Sequence, residues 1–503
     1  MITLPDFRPL KVSQLPEQAT RNTFDALDHV LIVFPKNPPD TLFRRLPQGQ
    51  QLKRLLRKSQ QAKKELVTTR LNNSKTTGLT LSSYKKANAY NRLCWARKLI
   101  SNCNQDNPNS LGVLIIGLDE IQRATIIKDL LAAAEAATFR LPTFKSTEPN
   151  RKNLKRLRIL SSKPRVAIDS VRAQSLGNNI ARWFTALPPN ILDVKTYFDL
   201  INQLCKQHEI KTTILNESAL KKLGANAFLA VSQGNSKRDA GIIQLRYRPS
   251  GVKHADLMLV GKGILFDTGG TNLKPFKSML DMHMDMEGSA VALGTLIALA
   301  SLKVPYGVDA WLPVTENRLS ATAYKSQDII KAANGTTIQV IHTDAEGRMV
   351  LADALTLAAR ETPKILIDYA TLTGTCVSAL TERYSGVFTN RIEANHILYK
   401  AGAESGERVW PFPMDEDYDE LLKSQVADIK QCSEAGYGDH ILAARFLSKF
   451  VPEDIPWIHM DLSAGQHKGG LAHIPSEITG FGVKLTLQLF ADKDPLQLSE
   501  ELT

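Results

Sequence analysis

Cysteine is scarce in this sequence. Its 503 residues hold five, Cys94, Cys103, Cys205, Cys376 and Cys432, scattered, odd in number and without a CxxC pair. Such usage argues against a disulfide framework and for a reduced, cytoplasmic chain whose thiols pack as small apolar residues. Long apolar runs are also missing: the longest, Ser289 to Leu302, is too short to span a bilayer and suits a buried helix. The opening stretch, Met1-Ile-Thr-Leu-Pro-Asp-Phe-Arg8, has no basic segment followed by an apolar one, so neither a signal peptide nor a membrane partner is expected. Acids are nearly absent from residues 41–100, which carry fifteen Lys or Arg against Glu65 alone, so the net charge of +12 belongs to one segment. Such a patch is able to meet nucleic acid or an anionic surface. No nucleic-acid-binding motif accompanies it, and a solvated helical face is the plainer reading. GxSxG, HExxH and a P-loop are absent as well, and the ten histidines do not cluster.

What is present reads as an α/β protein of two domains with an ordinary soluble composition. Apolar runs at His29–Phe34, Gly112–Gly117 and Leu157–Leu160 read as buried strands, and Asp119 to Leu141 as an alanine-rich helix. The basic stretch Leu52 to Val67 permits an amphipathic helix. These define a smaller N-terminal α/β domain over 1–165, followed by a linking helix within 166–190 that Pro188-Pro189-Asn190 stops. A larger catalytic α/β domain with a mixed central sheet takes up 191–503. Its strands are expected at Thr212–Leu215, Ile242–Tyr247, Leu257–Val260, Val308–Pro313, Ile338–Ile341, Ile365–Tyr369 and Trp457–Met460, and its helices at Ser289–Leu302, Met349–Ala359 and Ile441–Phe450.

Two short segments of that domain concentrate charge among apolar residues and glycines: Gly261-Lys-Gly-Ile-Leu-Phe-Asp-Thr-Gly-Gly270 and His342-Thr-Asp-Ala-Glu-Gly-Arg348, with Met284-Asp285-Met286 between them. They supply four carboxylates (Asp267, Asp285, Asp344, Glu346), two lysines (Lys262, Lys274) and Arg348. Buried charges are costly unless paired or bound to metal. The glycines after Val260 suggest a pliable loop that turns Lys262 and Asp267 towards one point. Asp344 and Glu346, two apart, share a side in an extended loop, and Gly347 frees the chain to start a helix at Met349. Hard oxygen ligands suit Mg²⁺ or Mn²⁺, and Zn²⁺ accepts them too. Four carboxylates balance two divalent ions, an arrangement found in hydrolases. A lysine joins such a site as a ligand only when neutral. Lys274 and Arg348 then remain as positive groups for an oxyanion or a small anion. Each residue alone has a blander reading: Asp267 as a turn former, Asp285, Asp344 and Glu346 as helix caps, the lysines as surface residues. Seven together in glycine-rich loops favour the metal site.

At these residues the sequence resembles the leucyl aminopeptidase family of cytosol aminopeptidases. The resemblance rests on Val260-Gly-Lys-Gly-Ile-Leu-Phe-Asp-Thr-Gly-Gly270, Leu273-Lys-Pro275, Asp285-Met-Glu-Gly288, Thr343-Asp-Ala-Glu-Gly-Arg348, Leu351-Ala-Asp-Ala-Leu355, Ala370-Thr-Leu-Thr-Gly374 and Thr479-Gly-Phe-Gly482, in the family's order across about residues 190 to 490. It implies a metal-dependent aminopeptidase that removes N-terminal, apolar residues from peptides by a metal-activated water. By that similarity Asp267 and Glu346 bridge two ions (Mn²⁺ or Zn²⁺), Asp344 completes one site, and Lys262 and Asp285 complete the other. Lys274 polarises the scissile carbonyl, and Arg348 holds a bicarbonate as general base. Met282, Thr371 and Gly374 line the pocket for the first side chain, with Leu372 beside the scissile bond. The family assembles as homohexamers. Three residues depart from its pattern: His342 replaces asparagine, Glu287 replaces a small residue, and His283 replaces a basic one. The resemblance leaves the basic segment unexplained, so a nucleic-acid-binding role for 41–100 stands as an alternative or additional function.

Overall fold

Continuous Val/Leu/Ile runs build the middle strands of two sheets, each in its own unit. The computed structural model describes residues 2–61, 65–147, 154–492 and 495–502. The chain divides into a smaller unit, Asp6–Ser175 with Gly470–Pro475, and a larger one, Met1–Pro5 with Leu176–Gly469 and Ser476–Thr503. The helix Asp169–Thr185 contains the division at Ser175 and Leu176.

In the smaller unit β1 (Lys11–Gln14), β2 (His29–Phe34), β3 (Leu66–Arg70), β4 (Gly78–Ser83), β5 (Ser110–Ile115) and β6 (Arg156–Leu160) lie in the order β1-β6-β5-β2-β4-β3. All pairs are parallel except β3 with β4. β2 and β5 are buried along their whole length, as central parallel strands with covered faces must be. The helix Glu120–Thr138 begins where the Asp119 carboxylate accepts the Gln122 amide at 2.8 Å.

The basic segment differs from expectation. Its helix runs Gly49–Gln61, the part of the expected helix at 62–64 lies outside the described residues, and Leu66 and Val67 open an edge strand instead. Val67-Thr68-Thr69 is β-branched, which suits a pleated surface better than a helix. Its cations are partly answered by acids: Lys53 and Arg57 by Asp40, Arg70 by Asp106, Arg92 by Asp129 and Lys98 by Glu65.

The larger unit carries a mixed sheet of β7 (Lys211–Asn216), β8 (Gly241–Tyr247), β9 (Leu257–Gly261), β10 (Gly263–Asp267), β11 (Val308–Asn317), β14 (Ile365–Ala370), β15 (Ser385–Thr389), β16 (Val409–Pro411) and β18 (Trp457–Asp461). Its order is β16-β15-β18-β14-β9-β11-β8-β7, with β10 also on β11. β9, β10, β11, β14 and β18 run parallel, while β15, β8 and β7 enter antiparallel pairs. The strand expected at Ile338–Ile341 is β13 (Thr337–Gln339) of a separate small sheet with β12 (Ile329–Lys331) and β17 (Ile429–Lys430). A tight turn at Gly335, with φ of 95°, folds β13 back on β12 and away from the main sheet. The expected loop after Val260 is also strand: only Lys262 separates β9 from β10, because the backbone at Gly263, Ile264 and Asp267 pairs with β11 despite the neighbouring glycines.

The helix Glu287–Leu302 is apolar all round because it is buried along nearly its whole length, packed among β9, β11 and β14. The segment Phe276–Leu302 resembles a membrane span in length and composition, but 89% of its most apolar window is buried inside the protein. This helix meets Asp169–Thr185 backbone to backbone: a Cβ on Gly294 would stand 2.3 Å from the Gly177 carbonyl oxygen. Gly294→Ala is therefore expected to destabilise the unit by about 1–3 kcal/mol through overpacking. The urea midpoint followed by circular dichroism checks this; an unchanged midpoint would show that the crossing yields.

Candidate metal centre

The carboxyl ends of the parallel strands deliver the site. Lys262 follows β9, Asp267 ends β10, Asn317 ends β11, Thr371 follows β14 and Asp461 ends β18. Ligand sites of open α/β sheets gather at such strand ends. Lys262 is pinned by its backbone: its amide donates to the Tyr369 carbonyl at 2.9 Å and its carbonyl accepts the Ser289 amide at 2.7 Å. Between Ile264 and Asp267 the pairing of β10 with β11 shifts register. The break at Lys262 and this bulge, not a loose loop, bring Lys262 and Asp267 round to one point.

Asp267, Asp344 and Glu346 each offer an oxygen within 4.8 Å of the others. Lys274 Nζ reaches Asp267 Oδ2 at 2.8 Å and also contacts Asp344 Oδ1. Lys262 Nζ donates to Asp285 Oδ1 at 2.7 Å and to the Thr371 carbonyl at 2.9 Å, and lies 3.1 Å from Glu346 Oε1. All four carboxylates and both lysines thus form one cluster. The Thr371 hydroxyl donates to Asp285 Oδ1 at 2.7 Å, but Asp285 Oδ2 is buried without a partner.

The blander readings fare unevenly. Asp267 does form a turn, accepting the Gly269 amide at 2.8 Å, while also belonging to the cluster. Asp285 does not cap the buried helix, whose N-cap is Met286 and carries no side-chain cap hydrogen bond. Neither lysine is a surface residue, Lys262 being 3% exposed. The helix expected from Met349 starts at Glu346, so Gly347 lies inside it. Gly347 leaves room instead of a hinge: a Cβ there would stand 2.7 Å from Lys262 Nζ.

Four carboxylates face two lysines, and the imbalance shows in their acidity. Burial, reinforced by the neighbouring carboxylates and only partly offset by the lysines, pushes Asp285, Glu346 and Asp344 above the usual carboxylate range. Burial opposes the charge on Lys262, but Asp285, Glu346 and Asp267 outweigh it and hold the ammonium firmly protonated. Lys274 is raised in the same way. A shortfall of positive charge, hard oxygen donors and the orphaned Asp285 Oδ2 together fit divalent cations.

Arg348, in the first turn of the Glu346–Ala359 helix, is 1% exposed. Its Nη2 donates to Asp439 Oδ2 at 2.6 Å and its Nη1 to the Gln431 carbonyl at 3.2 Å, while Nε lacks a partner. Arg348 lines a cleft of about 420 Å³ with both lysines, the four carboxylates, Met282, Thr371, Leu372 and Gly374. Every residue singled out in the sequence therefore meets in one cleft. Of the three departures, His342 shapes the turn by accepting the Asp344 amide at Nδ1, 3.2 Å away, and His283 is half-buried beside Met282. Glu287 lines the cleft, and burial pushes its carboxyl up to about 8.

Sequence reasoning missed the residues that hold the cluster in place. Asn317 Nδ2 donates to Asp267 Oδ1 at 2.8 Å and to the Thr343 carbonyl at 3.0 Å, tying the end of β10 to the segment before the Glu346 helix. Asp461 accepts the Leu372 amide at 3.2 Å and the Thr373 hydroxyl at 2.6 Å, fixing the Thr371–Gly374 wall. Gln431 accepts the Ile341 and His342 amides at 3.1 Å. Asp461 had a signal, a carboxylate closing a buried strand; Asn317 and Gln431 had none. Asn317→Ala is expected to weaken divalent-ion affinity about 10–100-fold. Calorimetric Mn²⁺ titration checks it, and unchanged affinity would make Asn317 a fold residue only.

Mixed sheet and acid-lined cleft place the chain among α/β proteins with a candidate metal centre at the strand ends. Residues 179–487 match the model of the cytosol aminopeptidase family, catalytic domain, and the chain belongs to that family. A probable cytosol aminopeptidase of Syntrophotalea carbinolica is 42% identical over 327 residues, 64% of this chain and 65% of that protein. One from Chloroherpeton thalassium is 37% identical over 339 residues, 66% of each. The matched region thus spans slightly less than two thirds of these curated relatives' length. Among solved structures, a tomato leucine aminopeptidase shares the fold with a TM-score of 0.82 at 24% identity, covering 98% of both chains. The bottromycin maturation enzyme BotP, solved in complex with Mn, has a TM-score of 0.76 at 25% identity, covering 94% of this chain and 99% of its own.

Proposed function

We propose that this chain is a metal-dependent aminopeptidase that hydrolyses the first peptide bond of peptides in the cytosol. The observation that carries the reading is the single cleft in which four carboxylates outnumber two lysines and Asp285 Oδ2 is buried without a partner. Asp267 and Glu346 would hold both of two divalent ions, Asp344 one, and Lys262 and Asp285 the other. Mn²⁺ and Zn²⁺ both suit the donors, and Mn in BotP supports the first. Such ions supply a nucleophilic water at neutral pH and polarise the scissile carbonyl. Lys262 must give up its proton to serve as a ligand, which cations among the carboxylates favour.

Lys274 stands at the cluster's rim, where its ammonium donates to the carbonyl oxygen and stabilises the charge that develops there. Arg348 Nε, buried and unpartnered, would hold a bicarbonate, which would supply a general base beside the cluster. Met282, Thr371 and Gly374 receive the first side chain, and Leu372 flanks the bond. Met282, Met284, Leu372 and Val377 give the cleft apolar walls, which supports apolar first residues. Assembly as a homohexamer has apolar surface to draw on in the exposed Leu273, Phe276 and Leu280.

The test is hydrolysis of leucine p-nitroanilide by protein stripped with EDTA and reloaded with Mn²⁺ or Zn²⁺. Activity is expected only after reloading, and N-acetylated substrate is expected to resist. Equal cleavage of the blocked substrate, or activity indifferent to chelation, would refute the reading.

A further inference from the structure

Glu287, Asp281, Glu382 and Asp461 line the cleft without belonging to the metal cluster, and of these Glu287 is the one with a buried, unpartnered oxygen. Glu287 opens the buried helix Glu287–Leu302, is 3% exposed and lines the cleft with Met282, Gly374, Ser463 and Gln466. One of its oxygens is occupied: the Gly480 amide donates to the carboxylate, and Oε2 fills the space beside Gly465, where a Cβ would stand 2.2 Å away. The other, Oε1, has no partner. Each cation of the cleft is already engaged, Lys262 with Asp285 and Glu346, Lys274 with Asp267 and Asp344, Arg348 with Asp439. No basic side chain among the described residues pairs with Glu287. A desolvated, unpartnered oxygen of this kind gains from a cationic donor placed against it, which also favours its ionised form.

Resting on the aminopeptidase reading, we infer that Glu287 selects peptides whose first residue is basic, lysine or arginine. The methylenes of such a side chain suit the apolar walls at Met282, Met284 and Leu372, and its head supplies the donors and charge that Oε1 lacks. An apolar preference then holds for the stem of the side chain but not for its end. Norleucine, which matches the lysine stem without the ammonium, leaves Oε1 unpaired, and a site built to hydrogen-bond rejects such an analogue.

The test compares kcat/KM of the Mn²⁺-loaded enzyme for the p-nitroanilides of lysine, arginine, norleucine and leucine. Lysine is expected to exceed norleucine by at least about tenfold. In Glu287→Gln the lysine-to-norleucine ratio is expected to fall to near one. A wild-type ratio of one or less, or a ratio that survives in Glu287→Gln, would overturn the inference while leaving the aminopeptidase reading intact. Should that variant fail to fold, the wild-type ratio alone decides. Hydrolysis of none of the four substrates would remove the aminopeptidase reading, and this inference with it.

Discussion

Asp344→Ala and Glu346→Ala are each expected to lower kcat/KM for leucine p-nitroanilide by at least about a thousand-fold, since metal ions supply several kcal/mol of transition-state stabilisation and each 1.36 kcal/mol is a factor of ten. Both residues belong to the three-carboxylate cluster, and Glu346 also faces Lys262 at 3.1 Å. On the proposed assignment, removing Glu346 would take a ligand from both ions, and removing Asp344 from one. Metal content by atomic spectroscopy is therefore expected to fall further in Glu346→Ala than in Asp344→Ala. Circular dichroism separates this from unfolding, because Asp344 is only partly buried and its loss leaves the core untouched. Activity within tenfold of the parent in both variants, with folding intact, would sink the dinuclear site.

Lys274→Ala has the second largest expected effect, a loss of about 10²–10³ in kcat with little change in KM, the size of losing one oxyanion donor. The same lysine pairs with Asp267 and Asp344, so a structural explanation competes. The two differ in metal content. Removing a cation from a cluster already short of positive charge leaves divalent ions held at least as well. If Lys274 were only a spacer between carboxylates, the variant would lose metal and keep the kcat of whatever fraction stays loaded. Stopped-flow kinetics normalised to bound metal decides between them.

Much of this was legible in the sequence, for reasons specific to each element. Strands such as His29–Phe34 and Ile365–Ala370 are buried throughout, so their apolar runs stand out. The charged site residues stood out for the opposite reason, being ionic groups in apolar company. β10 stayed hidden because glycines at 261, 263, 269 and 270 suggest a loop, whereas pairing with β11 depends on backbone that composition does not display. Gly347 was read as a hinge although its role is to leave space for Lys262, a contact that exists only once β9 and the Glu346 helix are packed together. Asn317 escaped notice because it lies 50 residues from Asp267, and a lone amide at a strand end has no local pattern. The limits of the basic helix failed because charge pattern does not distinguish an amphipathic helix from an edge strand at Leu66–Arg70.

Two divalent ions are proposed to sit where the ends of β9 and β10 meet the Thr343–Arg348 segment. Anomalous diffraction from crystals grown with Mn²⁺ tests this most directly. Two peaks are expected in the cleft, one contacted by Asp344, the other by Lys262 and Asp285, with Asp267 and Glu346 touching both. No peak among these residues at saturating Mn²⁺, or a single peak that leaves Asp285 and Lys262 paired with each other, would contradict it.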